Sequence, residues 1–523
     1  GEGDQSSVLA QSSSPGAPAS GPTSVHQTST SISLDWSAPS SDGSSGDDSS
    51  GYRLYNVAGD PAVLLYAGAE SAYEQVGLTA GTSYSYAVSA VSAAGESPST
   101  STLVQYTAPA APTGLSSSGW TTSGFDVTWV APAVGDGPAV TGYTLYERVT
   151  YEMADVGSAG GVPDNVLQTM LTQSIDTVVV DTVAYDGSAS TDLTTSLSGL
   201  SGGVSYDYVV AARSSAGEGD RSTALSVSTS PPAPGSLASV SQTTSSITLS
   251  WSAPAVTTGS AVTGYNLYVD NGVTGSPSTV VTCSGGALDT TCTASGLDGG
   301  VSYSFEVSAL STTGESDRSS LLAQSTAPAA VAGTMTFSSV TTTSMVLEWT
   351  APSGATPTGY MVYRDDGDSQ TPSIVVFDGN ALTATVSGLT GGTSYRYMVA
   401  ALSAAGVGDV SGLSTQSTSP AAPLGLSSDT QTSTSVTLSW SASVVSGGSA
   451  VTSYKVYRND GSSAGAGLSS TAAAETADGS TTTATLSDLS PGLLYSFAVS
   501  AVSAVGEGDQ SSVLAQSSSP GAP

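Results

Sequence analysis

One short phrase recurs five times along this chain and constrains its fold more than any single segment could. ISLDWSAP ends at Pro39, FDVTWVAP at Pro132, ITLSWSAP at Pro254, MVLEWTAP at Pro352 and VTLSWSAS at Ser443, which aligns Trp36, Trp129, Trp251, Trp349 and Trp440. Whatever architecture forms once must therefore form five times in tandem. After each tryptophan comes a polar Gly/Ser/Pro loop and then an alternating run: GYRLY, GYTLY, GYNLY, GYMVY and SYKVY, with Tyr52, Tyr143, Tyr265, Tyr360 and Tyr454. Period-two alternation over so few residues predicts a half-buried β-strand. Each copy next has a leucine followed six residues later by a tyrosine: Leu78/Tyr84, Leu200/Tyr206, Leu297/Tyr303, Leu389/Tyr395 and Leu489/Tyr495. Each copy then reaches a turn at Gly95, Gly217, Gly314, Gly406 or Gly506, where glycine tolerates the positive φ of a tight hairpin.

Tryptophan, alternating strand, Leu/Tyr pair and glycine turn together resemble the fibronectin type III family, over essentially the whole chain. The resemblance implies a seven-stranded β-sandwich with Trp on strand B. It also implies a tyrosine corner at the start of strand F, with the leucine just before it in the E–F loop, and an F–G hairpin at the glycine. A buried tyrosine must find a partner for its hydroxyl, and a backbone group at that corner supplies one. The linkers TAPAAPTGL, TSPPAPGSL, TAPAAVAGT and TSPAAPLGL are short and proline-stiffened, which limits the angles between neighbours. The expected fold is all-β: five tandem fibronectin type III-like seven-stranded sandwiches in an extended rod. The copies are assigned to residues 19–110, 111–233, 234–329, 330–422 and 423–523, with an insertion at about 147–185 in the second.

The first 18 residues, GEGDQSSVLAQSSSPGAP, are identical to residues 506–523. At the end of copy five that stretch reads as F–G turn, strand G and linker, so residues 1–18 are expected to be the last strand and linker of a preceding repeat. A lone strand is not stable by itself. The offset, 506 − 1 = 505 residues, is a candidate super-repeat, with this chain one period plus its overlap.

Composition narrows the function. With 9 Lys+Arg against 42 Asp+Glu the formal charge is −33, which repels phosphate backbones and anionic headgroups, so no nucleic-acid partner is expected. No apolar run reaches the roughly 18 residues of a membrane span, and no direct membrane insertion is expected in this segment. The single histidine, His26, lies in an exposed-turn context without triad partners. Acidic loops at Asp42, Asp47 and Asp48 and at Asp365, Asp366 and Asp368 carry oxygen ligands of the kind calcium prefers, but in Asp-Gly turns that ordinary hairpins also use. No catalytic residue, cofactor or metal site is assigned. Cys283 and Cys292, the only cysteines, have the spacing of a cross-strand disulfide closing a small hairpin loop in copy three; two buried free thiols are the alternative.

Two irregularities stand out. The tryptophan-to-corner-tyrosine spacing is 206 − 129 = 77 in copy two against 46 to 55 elsewhere. The extra segment carries Met153, Val166, Leu167, Met170, Leu171 and Ile175, more apolar side chains than one sandwich core needs. They either fold back on their own domain or cover a neighbouring chain or domain. Trp120 occupies a position held by Gln27, Gln242, Val340 and Gln431 in the other copies, and is a candidate interdomain contact. The leading expectation is a non-enzymatic structural protein of an extracellular filament or cell-surface appendage, assembling with other copies of itself. One alternative is the stalk or ligand-binding region of a giant surface adhesin that contacts a cell-surface protein or glycan. The other is the accessory domain array of a secreted polysaccharide-degrading enzyme.

Overall fold

The computed structural model describes residues 14–40, 49–152, 162–173, 177–273, 275–283, 285–368, 370–461 and 467–521. The first 13 residues, whose strand-G conformation is expected from the repeat, lie outside these. The chain divides into two compact units. Gly1–Pro234, Ala253–Tyr265 and Ser308–Arg318 form one; Gly235–Ser252, Asn266–Val307 and Ser319–Pro523 form the other. The first holds sandwiches one and two and part of three. The second holds the rest of three, then four and five.

Sandwich one shows the plan. Strands β1 (Ser20–Gln27), β2 (Ser31–Ser37) and β5 (Ala72–Val76) make a three-stranded antiparallel sheet in the order β1-β2-β5. The facing sheet runs β4 (Val63–Gly68), β3 (Gly51–Asn56), β6 (Ser83–Ser92), β7 (Gly95–Glu96), with β8 (Leu103–Tyr106) also pairing with β6. In family letters these are A, B and E against C′, C, F and a G strand in two pieces. The same two sheets recur in every sandwich. Where strand G breaks, a hydroxyl takes over from the ladder: Thr100, Ser222, Ser319, Ser411 and Ser511 accept from the strand-F amides of Val88, Val210, Val307, Val399 and Val499.

Alternation places the core. In sandwich one Ile32, Leu34 and Trp36 of β2 meet Tyr52 and Leu54 of β3 and Tyr86, Val88 and Ala90 of β6. The tryptophan packs edge-on against the strand-C tyrosine, with ring centroids 5.7 Å apart for Trp36–Tyr52 and 5.5 Å for Trp440–Tyr454. A core residue not singled out by the sequence pattern lies two positions beyond each corner tyrosine. Tyr86, Tyr208, Phe305, Tyr397 and Phe497 are each fully buried, and burial pushes the hydroxyls of Tyr86, Tyr208 and Tyr397 well above the ordinary tyrosine range.

The corner tyrosines form a second recurring device. The backbone N–H of Thr79, Ser201, Asp298, Thr390 and Ser490 donates to the hydroxyl of Tyr84, Tyr206, Tyr303, Tyr395 and Tyr495, at 2.8–2.9 Å. The carbonyls of those same five residues accept from the hydroxyls of Thr107, Thr229, Thr326, Thr418 and Ser518 at the end of strand G, at 2.7–2.8 Å. One loop residue is thus held at both its N–H and its C=O.

Sandwich two departs from the plan where the spacing requires it. Its strand C, Gly142–Glu152, and strand C′, Thr177–Gly187, pair over their whole length, from Tyr143–Gly187 to Glu152–Thr177. Helix α1 (Asp164–Gln173) packs beside the second of them, with Val166 and Met170 buried. The long hairpin is tied to strand G through Asp181, which accepts from Arg148 at 2.8 Å and from Arg221 at 2.6 Å. Among the described residues no helix is long and apolar enough to cross a membrane.

Replacing Tyr395 with phenylalanine keeps the ring and removes the hydroxyl that accepts from Thr390. Sandwich four is expected to lose about 0.5–1.5 kcal/mol, the net worth of one hydrogen bond, and to unfold earlier in guanidinium with faster exchange of the Thr390 amide. An unfolding profile identical to that of the unmodified chain would remove the tyrosine corner from the account.

Candidate functional site: the joint between successive sandwiches

Residues far apart in sequence converge where one sandwich hands over to the next, and the same three contacts recur at each joint. The first anchors the linker. Directly after the strand-G hydroxyl, the amides of Ala108, Ser230, Ala327 and Ser419 donate back to the carbonyls of Thr28, Thr121, Thr243 and Thr341 in the A–B turn of their own sandwich, at 2.9–3.0 Å. The linker therefore leaves each sandwich in a fixed direction.

The second contact is made by backbone. Two residues beyond the doubly held loop position stand Gly81, Gly203, Gly300 and Gly392, with φ of 61°, 70°, 73° and 71°, a left-handed conformation that glycine adopts without strain. Their carbonyls accept from the B–C loop of the following sandwich. Gly81 accepts from Gly135 and Gly137 at 3.1 and 2.9 Å, and Gly203 from Thr257 and Gly259 at 3.2 and 3.0 Å. Gly300 accepts from Ala355 at 2.8 Å and Gly392 from Ser446 at 2.9 Å. Joint one–two adds Asp136, whose carboxylate accepts from the Ser83 amide at 2.9 Å and the Ser83 hydroxyl at 2.5 Å. Those bonds, the hydroxyl's foremost, hold the Asp136 carboxyl below its ordinary value.

The third contact pairs a hydroxyl with a carboxylate. In the A–B turn Ser29, Thr122, Thr244 and Thr342 donate to Asp220, Asp317, Asp409 and Asp509, which lie just past the F–G turn of the next sandwich. The Thr244–Asp409 bond is 2.6 Å. Beside the aspartate the two backbones touch: a Cβ on Gly219, Gly408 or Gly508 would collide with the carbonyl oxygen of Pro109, Pro328 or Pro420 in the linker.

Trp120 precedes the A–B turn of sandwich two; it is 40% exposed and its indole N–H donates to Ser117 of its own domain at 3.3 Å. Val166 and Met170 are buried on α1 and Leu167 is half-buried, while Met153, Ile175 and the side chain of Leu171 lie outside the described residues. Cys283 and Cys292 are disulfide-bonded, with Cα atoms 5.3 Å apart. Their setting differs from a hairpin. Cys283 follows the strand C′ Thr279–Val281, whereas Cys292 sits in the strand E Thr291–Ser295, so the bond joins segments on opposite sheets. Asp365 is buried, accepting from the Gly367 and Arg396 amides, while Asp366 and Asp368 are exposed. Asp42, Asp47 and Asp48 lie outside the described residues. His26 is exposed on β1. Among the described residues no group of three or more His, Cys, Asp or Glu could hold a metal ion.

The model of the fibronectin type III domain matches residues 16–106, 110–228, 231–325, 327–417 and 421–517. The chain belongs to the fibronectin type III family. Within that family it is similar to Exoglucanase B of Cellulomonas fimi, 32% identical over 314 residues, covering 55% of this chain and 25% of the relative. It is similar also to Chitinase A1 of Niallia circulans, 38% identical over 192 residues, covering 35% and 24%. Endoglucanase B of Cellulomonas fimi is 32% identical over 292 residues, covering 50% and 25%. The chain thus spans about a quarter of the length of these relatives. The crystal structure of the chicken CNTN1 FN1–FN3 domains matches 55% of this chain and 99% of that one, at 16% identity and a TM-score of 0.23.

Because Asp136 is held below its ordinary value, its support of joint one–two is fully present above the usual aspartate range, about pH 4, and is lost as the pH falls through the lowered value. The Ser83 amide resonance is expected to titrate with a midpoint below that of an unperturbed aspartate, and Asp136→Asn to abolish the titration. A midpoint at the ordinary value would show that the contact does not form in solution.

Proposed function

We propose that this chain is a non-catalytic spacer array in a secreted polysaccharide-degrading protein, where it sets the separation and orientation of the modules on either side. One observation carries the reading. Three relatives whose names mark them as acting on glucan or chitin match this chain over only about a quarter of their length, and the matching part of this chain consists of fibronectin type III domains. The joints support it, because a spacer whose linkers are anchored and whose neighbours share hydrogen bonds transmits orientation as well as distance. The strongly acidic composition suits an extracellular array, since like charge keeps such chains soluble and apart.

A second reading, a filament of self-assembling chains, is favoured by the 18-residue identity between residues 1–18 and 506–523. One determination separates the two. The complete open reading frame is expected to encode a polysaccharide hydrolase module in frame with these sandwiches. A frame that holds only further 505-residue periods and a surface anchor would overturn the spacer reading in favour of the filament.

A further inference from the structure

We infer that Asp220, Asp317, Asp409 and Asp509 are joint-locking residues: each fixes the angle between its own sandwich and the one before it by accepting from the A–B turn hydroxyl there. This deepens the spacer reading, on which only its consequence for module orientation rests.

Three observations converge on these carboxylates. Each occupies the same position, three residues beyond the F–G glycine, and each accepts from the same position of the preceding sandwich: Ser29, Thr122, Thr244 or Thr342. The bond and the glycine carbonyl contact come from different loops of the preceding sandwich, its A–B turn and its E–F loop. Gly81 with Gly135 and Gly137, and Ser29 with Asp220, are two such points at joint one–two. A flexible connection pinned at one point still swivels; a second point off the linker axis removes that freedom. The residue before the aspartate is glycine in three sandwiches, and there a side chain would strike the linker carbonyl, so close approach is built into the sequence at the point where the carboxylate must reach across.

The donors are covered to different degrees beneath their aspartates: Ser29 and Thr342 are 2% and 6% exposed, whereas Thr122 and Thr244 are half-buried. Sandwich one has Pro98 where the others have aspartate, and so offers no such acceptor at its own leading turn. The motif is a per-joint choice, not a requirement of the sandwich fold, because sandwich one forms the same two sheets without it.

The test uses the full chain with the disulfide intact. Spin labels are placed at exposed positions on sandwiches one and two, and a second pair reports on sandwiches four and five. In the unmodified chain the label–label distance distribution across each joint is expected to be narrow. Asp220→Ala should widen the first distribution at least twofold and leave the second unchanged; Asp509→Ala should do the reverse. Asp220→Asn, whose amide oxygen still accepts from Ser29, should restore most of the narrowing. Because these carboxylates lie outside the cores, unchanged near-ultraviolet circular dichroism should confirm that every variant is folded. Distributions that stay equally narrow in the alanine variants, or are already broad in the unmodified chain, would overturn the inference. Neither result bears on whether a hydrolase module is encoded in the same reading frame, so failure here is distinguishable from failure of the spacer reading.

Discussion

A single loop residue in each sandwich, held at both ends, is the constraint on which the rest depends. Thr79 and its counterparts give their N–H to the corner tyrosine and their C=O to the hydroxyl closing strand G. That arrangement gives both backbone groups of an otherwise unpaired loop residue a partner within the sandwich. It also freezes the loop just before Gly81 and its counterparts, so the glycine carbonyl is aimed outward at the next sandwich with its direction already set. A device that completes the fold of one domain therefore prepares the docking of the next. The linker amide, bonded to the A–B turn one residue beyond the strand-G hydroxyl, extends the same logic to the path of the chain.

Charge is deployed sparingly around this frame. With only 9 basic residues against 42 acidic ones, most carboxylates cannot be neutralised by ion pairs and rely on hydroxyl and amide donors instead. Glu507 illustrates the balance: burial alone would raise its carboxyl, but bonds from Ser500, Tyr457 and Lys455, with the nearby lysine charge, leave it below the ordinary value. Glu96 is held low in the same manner by Ser89, Tyr55 and Arg53 against the opposing effect of burial. Exposed pairs of this kind are worth little individually. Their value lies in fastening the F–G hairpin to strand C, which in sandwich five places the joint aspartate Asp509 two residues beyond Glu507.

Much of the fold was legible in the sequence because its signals are local. Alternation around Trp36 and Tyr52, the Leu78/Tyr84 spacing and the turn glycines each report on a few neighbouring residues, and the two sheets follow from them. The aromatic residue two places beyond the corner stands in plain view in YSYAV and YSFAV, but alternation puts it on the same face as the corner tyrosine, and only the structure shows it to be the more deeply buried of the two. The joint was not legible in the same sense. The Thr-Thr or Ser-Thr turns and the Gly-x-Gly-Asp runs were present as repeated letters, but Ser29 and Asp220 are separated by 191 positions. Only three-dimensional placement shows that one answers the other. The spacing of the cysteines suits a hairpin staple, whereas a chain that crosses between sheets brings two positions equally close.

The central claim is that successive sandwiches are joined by shared backbone hydrogen bonds and not merely tethered. Amide hydrogen exchange in the B–C loops tests it most directly, because Gly135, Gly137, Thr257, Gly259, Ala355 and Ser446 have their carbonyl partner in the preceding sandwich. The account predicts that these six amides exchange markedly more slowly than unstructured loop amides of the same local sequence. Exchange at the unstructured rate, in a chain whose strand amides are fully protected, would contradict it.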